Sequence, residues 1–288
     1  MEVKDDGGRE EMGSGLIPNW NELPRGCLLE ILIRLSMEQR WLGPMFVCKT
    51  WMYACQEPSL NSVFDLETRF LSTPESPTYW RQEFSEKVDS SLRSVVDWSK
   101  GGLTEIRVRH CTDRAISYAS ERCSNLEVLC VPSSPLVTDS SITKIASNCP
   151  KLRELDISYS YNISYKSLIM VGKNCQNMEI LKRNLYVLRD HRNGNMEAEV
   201  IGRLMPKLKH LGLQFSTLNG NGLASICEGC LNLEYLDLYG CPALRSCHIS
   251  ASTPSLKNLK EIKLHPGVIA QRSGRRMPVP NRNRVIDL

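Results

Sequence analysis

Seven times between residues 103 and 264 the apolar positions fall in the order L-x-x-L-x-L. The copies are Leu103/Ile106/Val108, Leu126/Leu129/Val131, Leu152/Leu155/Ile157, Met178/Leu181/Arg183, Leu208/Leu211/Leu213, Leu233/Leu236/Leu238 and Leu259/Ile262/Leu264. Their first positions are spaced by 23, 26, 26, 30, 25 and 26 residues. The L-x-L step predicts a short strand, because alternate residues share a face. A turn follows, then a stretch of helical period. In "TDSSITKIASNC", Thr138 or Asp139 can cap a helix whose Ile142, Ile145 and Ala146 share one side. "TDRAISYASERC" places Ile116 and Ala119 alike.

One strand and one helix per repeat, neither able to bury its apolar side alone, predict a stacked solenoid of the α/β class. Seven strands side by side would line about 30 Å of open face. The fourth copy departs, because Arg183 stands where the others carry an aliphatic residue. A longer interval and the polar run "RDHRNGNMEAE" follow it, and predict a bulged loop. The last copy has no recognisable helix after it.

A different pattern occupies residues 20–60. From Cys27 to Leu35 the apolar residues Leu28, Leu29, Ile31, Leu32, Ile33 and Leu35 cover far more than one stripe of a helix. A helix apolar nearly all round must be covered on several sides. About 40 residues are too few to do this alone. The module is therefore expected to complete its burial against another protein. "MFVCKTWMYAC" predicts a second apolar helix, with Val47, Cys48 and Trp51 at helical spacing.

Bulk properties narrow the class without naming it. The 288 residues carry a net charge of +4, too little to argue for nucleic acid or an anionic membrane. No apolar run is long enough to span a bilayer. The acidic, Gly-rich "MEVKDDGGREEMGSG" does not read as a signal peptide. The expected compartment is the cytoplasm or nucleus, where the twelve cysteines would stay reduced.

The ordered residues of both regions carry a family resemblance. Leu23-Pro24, a Leu/Ile-rich helix with Ile31, Leu32 and Leu35, then Val47-Cys48-Lys49 and Trp51 resemble an F-box. The recurring C-x-x-L-x-x-L-x-L with a Thr/Asp-capped helix resembles the cysteine-containing leucine-rich repeat. In this order they resemble F-box/leucine-rich-repeat proteins, and "PSLNSVFDLE" and "DWSKGGLTEI" look like the plant branch. The resemblance implies a leucine-rich-repeat horseshoe behind a small all-helical F-box. It implies a non-catalytic substrate receptor of a cullin–RING ubiquitin ligase, joined to the cullin by the adaptor Skp1. The alternative is an interaction scaffold without a ligase. Carried over, Leu23, Pro24, Ile31, Leu32, Leu35, Val47, Cys48 and Trp51 would form the adaptor-binding module, as contacts or as its core. Two positions depart from the family pattern. Gly43-Pro44 falls where a helical turn is usual, and Asn61 stands where Trp is frequent.

The expected organisation is a disordered tail over 1–15, F-box over 16–65, linker and capping helix over 66–100, repeats over 101–265, and a disordered basic tail over 266–288. A protein substrate would meet the residues between the leucines, which point away from the core. These are Glu105, Arg107, Arg109, Glu154, Asp156, Lys182, His210, Gln214, Tyr235, Asp237, Tyr239, Glu261 and Lys263.

No catalytic, metal or cofactor motif survives inspection. Cys227 and Cys230 have a C-x-x-C spacing, but Cys230 sits at the repeat's own cysteine position, and Cys241 at its turn. "GNGLAS" at 220–225 lacks the third glycine of a dinucleotide loop. The five histidines are expected at the surface or in loops. The cysteines at 123, 149 and 175 read as phase markers, each ending a helix and packing beneath the next strand.

Overall fold

A computed structural model describes residues 20–67, 70, 76–186 and 194–265. The expected tails over 1–15 and 266–288 lie outside these residues. The chain divides into two compact units, one ending at Cys55 and one beginning at Gln56.

The first unit is helical. Its helices are α1 (Arg25–Leu32), α2 (Met37–Leu42) and α3 (Lys49–Cys55). Pro24 precedes α1, where its missing N–H is no loss. Ser36 caps α2 reciprocally: its hydroxyl accepts from the Gln39 N–H, and the Gln39 side chain accepts from the Ser36 N–H. Leu28 and Leu32, one turn apart, are the fully buried side chains of α1. The buried Arg40 donates to the Leu35 carbonyl at 3.0 Å, tying the end of α1 to α2.

Gly43-Pro44 ends α2, and Pro44 opens a short 3-10 turn over Pro44–Phe46. The stretch "MFVCKTWMYAC" is therefore not one helix. Met45 and Phe46 lie in this turn, Val47 follows it, and the Cys48 carbonyl accepts the Met52 N–H at the start of α3.

Among its described residues the second unit forms a parallel sheet of eight strands in sequence order. They are β1 (Val63–Asp65), β2 (Glu105–Arg107), β3 (Val128–Cys130), β4 (Glu154–Asp156), β5 (Ile180–Lys182), β6 (His210–Gly212), β7 (Tyr235–Asp237) and β8 (Glu261–Lys263). Each of the last seven is centred on the second apolar residue of a copy, and these residues pair in register from Ile106 to Ile262.

β1 is an eighth strand that the seven copies did not include. Its Phe64 pairs with Ile106 and is fully buried. The F-box range of 16–65 thus reached too far, because residues 63–65 belong to the sheet.

On the opposite face lie α4 (Gln82–Ser99), α5 (Asp113–Arg122), α6 (Asp139–Asn148), α7 (Tyr165–Asn174), α8 (Gly194–Leu204), α9 (Gly220–Gly229) and α10 (Ser246–Ser252). A helix needs about 10 Å of width and a strand about 4.8 Å. The sheet is therefore the narrower, inner face of the stack, as in a leucine-rich-repeat horseshoe.

Two side-chain ladders hold successive repeats in phase. Cys149 ends α6, and its thiol donates to the Cys123 carbonyl at 3.4 Å; the Cys175 thiol reaches the Cys149 carbonyl at 3.7 Å. Burial pushes the Cys149 thiol up to about 12, so it stays protonated and able to donate. At the other helix end Thr138 caps α6. Asp139 does not cap; it accepts from the Ser164 N–H and hydroxyl of the next repeat, at 2.7 and 2.6 Å. Asp113 holds Thr138 in the same way, and Asp89 holds Thr112.

The fourth copy is repaired by a buried ion pair. Arg183 is 1% exposed, and its guanidinium donates to the Ser160 and Ile163 carbonyls at 3.3 and 2.8 Å. Glu197, on α8, lies 3.6 Å away and is itself buried. The expected loop is only in part a loop: from Gly194 onward the polar run is helix α8, while 187–193 lie outside the described residues. Close packing of α8 on α9 depends on glycine. A Cβ on Gly229 would stand 1.9 Å from the Gly202 carbonyl oxygen, and one on Gly202 would stand 2.2 Å from the Ser225 carbonyl oxygen.

Candidate functional site

The first unit leaves much of its apolar surface open. Ile31, Ile33, Leu42, Phe46, Val47 and Tyr53 are all exposed, Phe46 by 80% and Leu42 by 75%. So many exposed large apolar side chains on so small a unit make this surface the candidate site of the first unit. Burying an exposed Phe or Leu contributes about 1.5–3 kcal/mol, so several together could anchor a stable complex.

The expected adaptor residues divide between this surface and the support beneath it. Pro24, Ile31 and Val47 are exposed. Leu23, Leu35, Cys48 and Trp51 are half-buried, and Leu32 is wholly buried. Leu32 therefore acts as core. Trp51 is fixed by its indole N–H, which donates to the Trp20 carbonyl at 3.0 Å, with the two rings edge to face at 6.4 Å.

Ile33, Leu42, Phe46 and Tyr53 were not singled out from the sequence. Ile33 was legible as part of the helix apolar all round. Phe46 was not, because the turn begun by Pro44 sets its direction. Asn61 lies in the second unit, buried, with its side-chain amide donating to the Glu57 carbonyl at 2.7 Å.

The open face of the sheet carries the thirteen residues expected to meet a substrate, but they are not equally free. Arg107 spans β3 to grip Glu154 with two hydrogen bonds, at 3.1 and 3.2 Å, and also lies 3.4 Å from Glu105. Glu154 is nearly buried by this, and its carboxyl is held below the usual range because the hydrogen bonds and charge of Arg107 outweigh the desolvation that opposes them. Arg109 is held by Glu67. Asp237 is 4% exposed and accepts from the Tyr239 N–H and the Gln214 amide. Glu154 and Asp237 are thus supports and not contacts.

From β6 onward the face is more aromatic. Lys182 lies 3.8 Å from Asp156. His210 stacks on Tyr235 at 4.1 Å, and the Lys263 ammonium lies 5.2 Å from the Tyr235 ring centre. Burial, aided by Lys182, lowers the His210 pKa, so the ring is neutral near pH 7. Lys263 and Glu261 stand at the end of the sheet, exposed and 3.7 Å apart.

The turns leaving these strands add Tyr159, Tyr186, Phe215 and Tyr239. Tyr159 meets Tyr186 at 5.1 Å, Phe215 meets Tyr239 at 5.8 Å, and Tyr239 meets His265 at 5.6 Å. Tyr159 and Phe215 have φ of 60° and 56°, a left-handed conformation that is uncommon for bulky residues. Backbone strain of this kind tends to gather at binding sites.

One histidine lies in a loop, as expected, but is buried there. His110 is 3% exposed, with φ 58°, among Phe70, Tyr79, Trp80 and Phe84. Burial, with Arg109 nearby, holds its pKa down at about 4.

The C-x-x-C pair is structural in placement. Cys227 lies inside α9, and Cys230 ends it, donating to the Met205 carbonyl at 3.5 Å. Burial raises the two thiols to about 11 and about 12. Among the described residues no group of three or more His, Cys, Asp or Glu side chains is placed to hold a metal ion. No described helix is long and apolar enough to cross a membrane.

No family model matches the chain. Whole-chain relatives do. F-box/LRR-repeat protein 19 of Arabidopsis thaliana is 61% identical over 278 residues, 91% of this chain and 92% of its own length. F-box protein SKIP1 of the same plant is 52% identical, over 92% of this chain and 91% of its own. F-box/LRR-repeat protein 23 is 34% identical over 77% of this chain and 48% of its own. Long alignments at such identity, spanning both the helical unit and the repeats, leave one conclusion: the chain belongs to the plant F-box/leucine-rich-repeat protein family.

Proposed function

We propose that the protein is the substrate-recognition subunit of an SCF-type ubiquitin ligase. The helical unit binds a Skp1-type adaptor, which links the chain to a cullin, and the open face of the repeats holds a protein substrate. The observation that carries this reading is the exposed apolar surface of the first unit, formed by Ile31, Ile33, Leu42, Phe46, Val47 and Tyr53. A free-standing unit of this size has no reason to keep Phe46 and Leu42 in water, whereas an adaptor interface would bury both.

The mechanism is proximity. The chain supplies no acid, base or nucleophile to the transfer. By holding the substrate in the same assembly as a ubiquitin-charged enzyme, it makes lysine attack effectively intramolecular. The rigidity needed for such presentation comes from the stacked repeats, whose thiol and Asp bonds tie helix ends of successive repeats together.

Co-purification of the full chain with a Skp1-type adaptor and a cullin is the direct test. A stoichiometric complex is expected, lost on Phe46→Asp and kept on Tyr239→Ala. Failure of the correctly folded chain to hold the adaptor at micromolar concentration would leave only the scaffold reading.

A further inference from the structure

The first turns of α4 and α5 line a cleft of about 610 Å³. That volume falls in the range of roughly 300–1,000 Å³ typical of ligand sites. Its apolar lining stands partly in water: Trp80 is 56% exposed and Leu136 50%. Both are held in place. Trp80 ends a 3-10 turn over Pro77–Trp80, and its ring meets the buried His110 edge to face at 4.6 Å. Leu136 forms a parallel bridge with Thr112, and its carbonyl accepts the Asp113 N–H at 3.0 Å. Among the described residues the cleft shares no lining residue with the open face of the sheet.

The polar lining is negative. Glu86, Asp89 and Asp113 stand against one guanidinium, that of Arg114. His110 adds no positive charge, because burial, with Arg109 nearby, holds its pKa down at about 4. Asp89 and Asp113 accept from the N–H and hydroxyl of Thr112 and Thr138, and Glu86 accepts from the Gln82 amide at 2.9 Å. All these donors are neutral, so the three negative charges persist. No ion pair reaches them among the described residues. The open face differs, since Arg107 and Lys182 already answer its carboxylates. Ser85 adds a second sign of a missing partner. It lines the cleft at 7% exposure, and its hydroxyl makes no hydrogen bond among the described residues. Its oxygen is nevertheless not sealed from solvent. A nearly buried hydroxyl left unpaired is unfavourable, and a donor from a ligand would satisfy it.

An arginine side chain matches each part of this lining. Its guanidinium stacks on an indole, pairs with a carboxylate and donates to a hydroxyl, while its apolar stem packs on aliphatic carbon. We propose that the cleft is a docking site for an arginine on an extended segment of a partner protein. Trp80 stacks on the guanidinium, Glu86 pairs with it, Ser85 accepts from it, and Leu136 covers the stem. Asp89 and Asp113 strengthen the field in the cleft without giving up their own hydrogen bonds. The proposal rests on the second unit alone and stands apart from adaptor binding.

The test uses the full chain and a fluorescein-labelled peptide of sequence Gly-Leu-Arg-Leu-Gly. A second peptide carries citrulline in place of arginine, which keeps the shape and removes the charge. The arginine peptide is expected to bind at sub-millimolar Kd, and the citrulline peptide at least about tenfold more weakly. Glu86→Gln and separately Leu136→Ser should each weaken the arginine peptide about tenfold. Both side chains are exposed, so the melting temperature should not change. Tyr186→Ala, outside the cleft, should leave the peptide's affinity as it is. No binding by the native chain overturns the proposal. So does equal binding of the two peptides, or binding indifferent to both Glu86→Gln and Leu136→Ser. Neither result touches adaptor binding, which is read separately with Phe46→Asp.

Discussion

The helical unit and the repeats treat the same kinds of side chain in opposite ways. In the repeats, aliphatic residues at the motif positions are buried almost without exception, from Leu103 to Leu238. In the helical unit, Leu28 and Leu32 are buried while Ile31, Ile33, Leu42 and Phe46 face water. Apolar composition alone therefore does not report the role of a segment. A repeat finds its covering in the next repeat of its own chain. On the function proposed above, the helical unit would find its covering in the adaptor.

The largest expected effect concerns the one place where a repeat departs from this internal logic. Glu197→Ala removes the carboxylate beside the buried Arg183 and should cost about 3–5 kcal/mol. Chemical denaturation monitored by circular dichroism measures it. The double replacement Arg183→Leu with Glu197→Leu should recover most of that loss, since a packed apolar pair can equal a buried ion pair. Recovery would show that the fourth repeat differs in chemistry but not in architecture.

Next comes a change confined to the open apolar surface. Phe46→Ala should weaken adaptor binding by about 2 kcal/mol or more. Its thermal stability should shift by no more than about 0.5 kcal/mol, because the side chain contributes little to its own unit. Leu32→Ala should do the reverse, destabilising the helical unit by about 2–5 kcal/mol. Isothermal titration set beside calorimetric melting separates the two.

Acid sensitivity belongs to the repeats. His110 is neutral when folded, with a pKa near 4, against about 6.5 when unfolded. The unfolded state thus binds the extra proton between these values. The stability due to keeping His110 neutral is present above about pH 6.5 and is lost as pH falls toward 4. His110→Asn, which tolerates the left-handed backbone, should flatten the melting temperature against pH over that window. Asp139 adds a lower step. Burial raises its pKa, but the Ser164 hydroxyl and N–H outweigh this and hold it below the usual range. Its stabilisation is present above the unfolded carboxylate value and is lost as pH falls through the depressed one.

The smallest effect is at the helix ends. Cys149→Ala removes a weak thiol hydrogen bond and one buried sulfur, and should cost about 1 kcal/mol with adaptor binding intact.

Much of this was legible in the order of residues. The L-x-x-L-x-L spacing placed the seven strands β2 to β8, and the cysteines marked where the helices end. β1 was missed because "VFDL" shows only the last beat of the motif, although Phe64 and Leu66 keep its alternation. The division of labour at "TD" was also hidden. Sequence left Thr138 and Asp139 as rival caps, whereas Thr138 caps its own helix and Asp139 serves Ser164 in the next repeat. Arg183 was visible as an exception, but its partner Glu197 was not, because nothing local links residues on opposite sides of a strand-to-helix connection. On the open face, alternation showed which residues point outward but not which are already engaged. Arg107 with Glu154, and Asp237 with Gln214, satisfy each other across strands, and only the register reveals it.

The most direct test is titration of the full chain with a purified Skp1-type adaptor, repeated with Phe46→Asp. We expect saturable one-to-one binding by the native chain, and at least about thirtyfold weaker binding by the variant at an unchanged melting temperature. Equal affinity of the two chains, or no binding by the native one, would contradict the assignment of this surface to the adaptor.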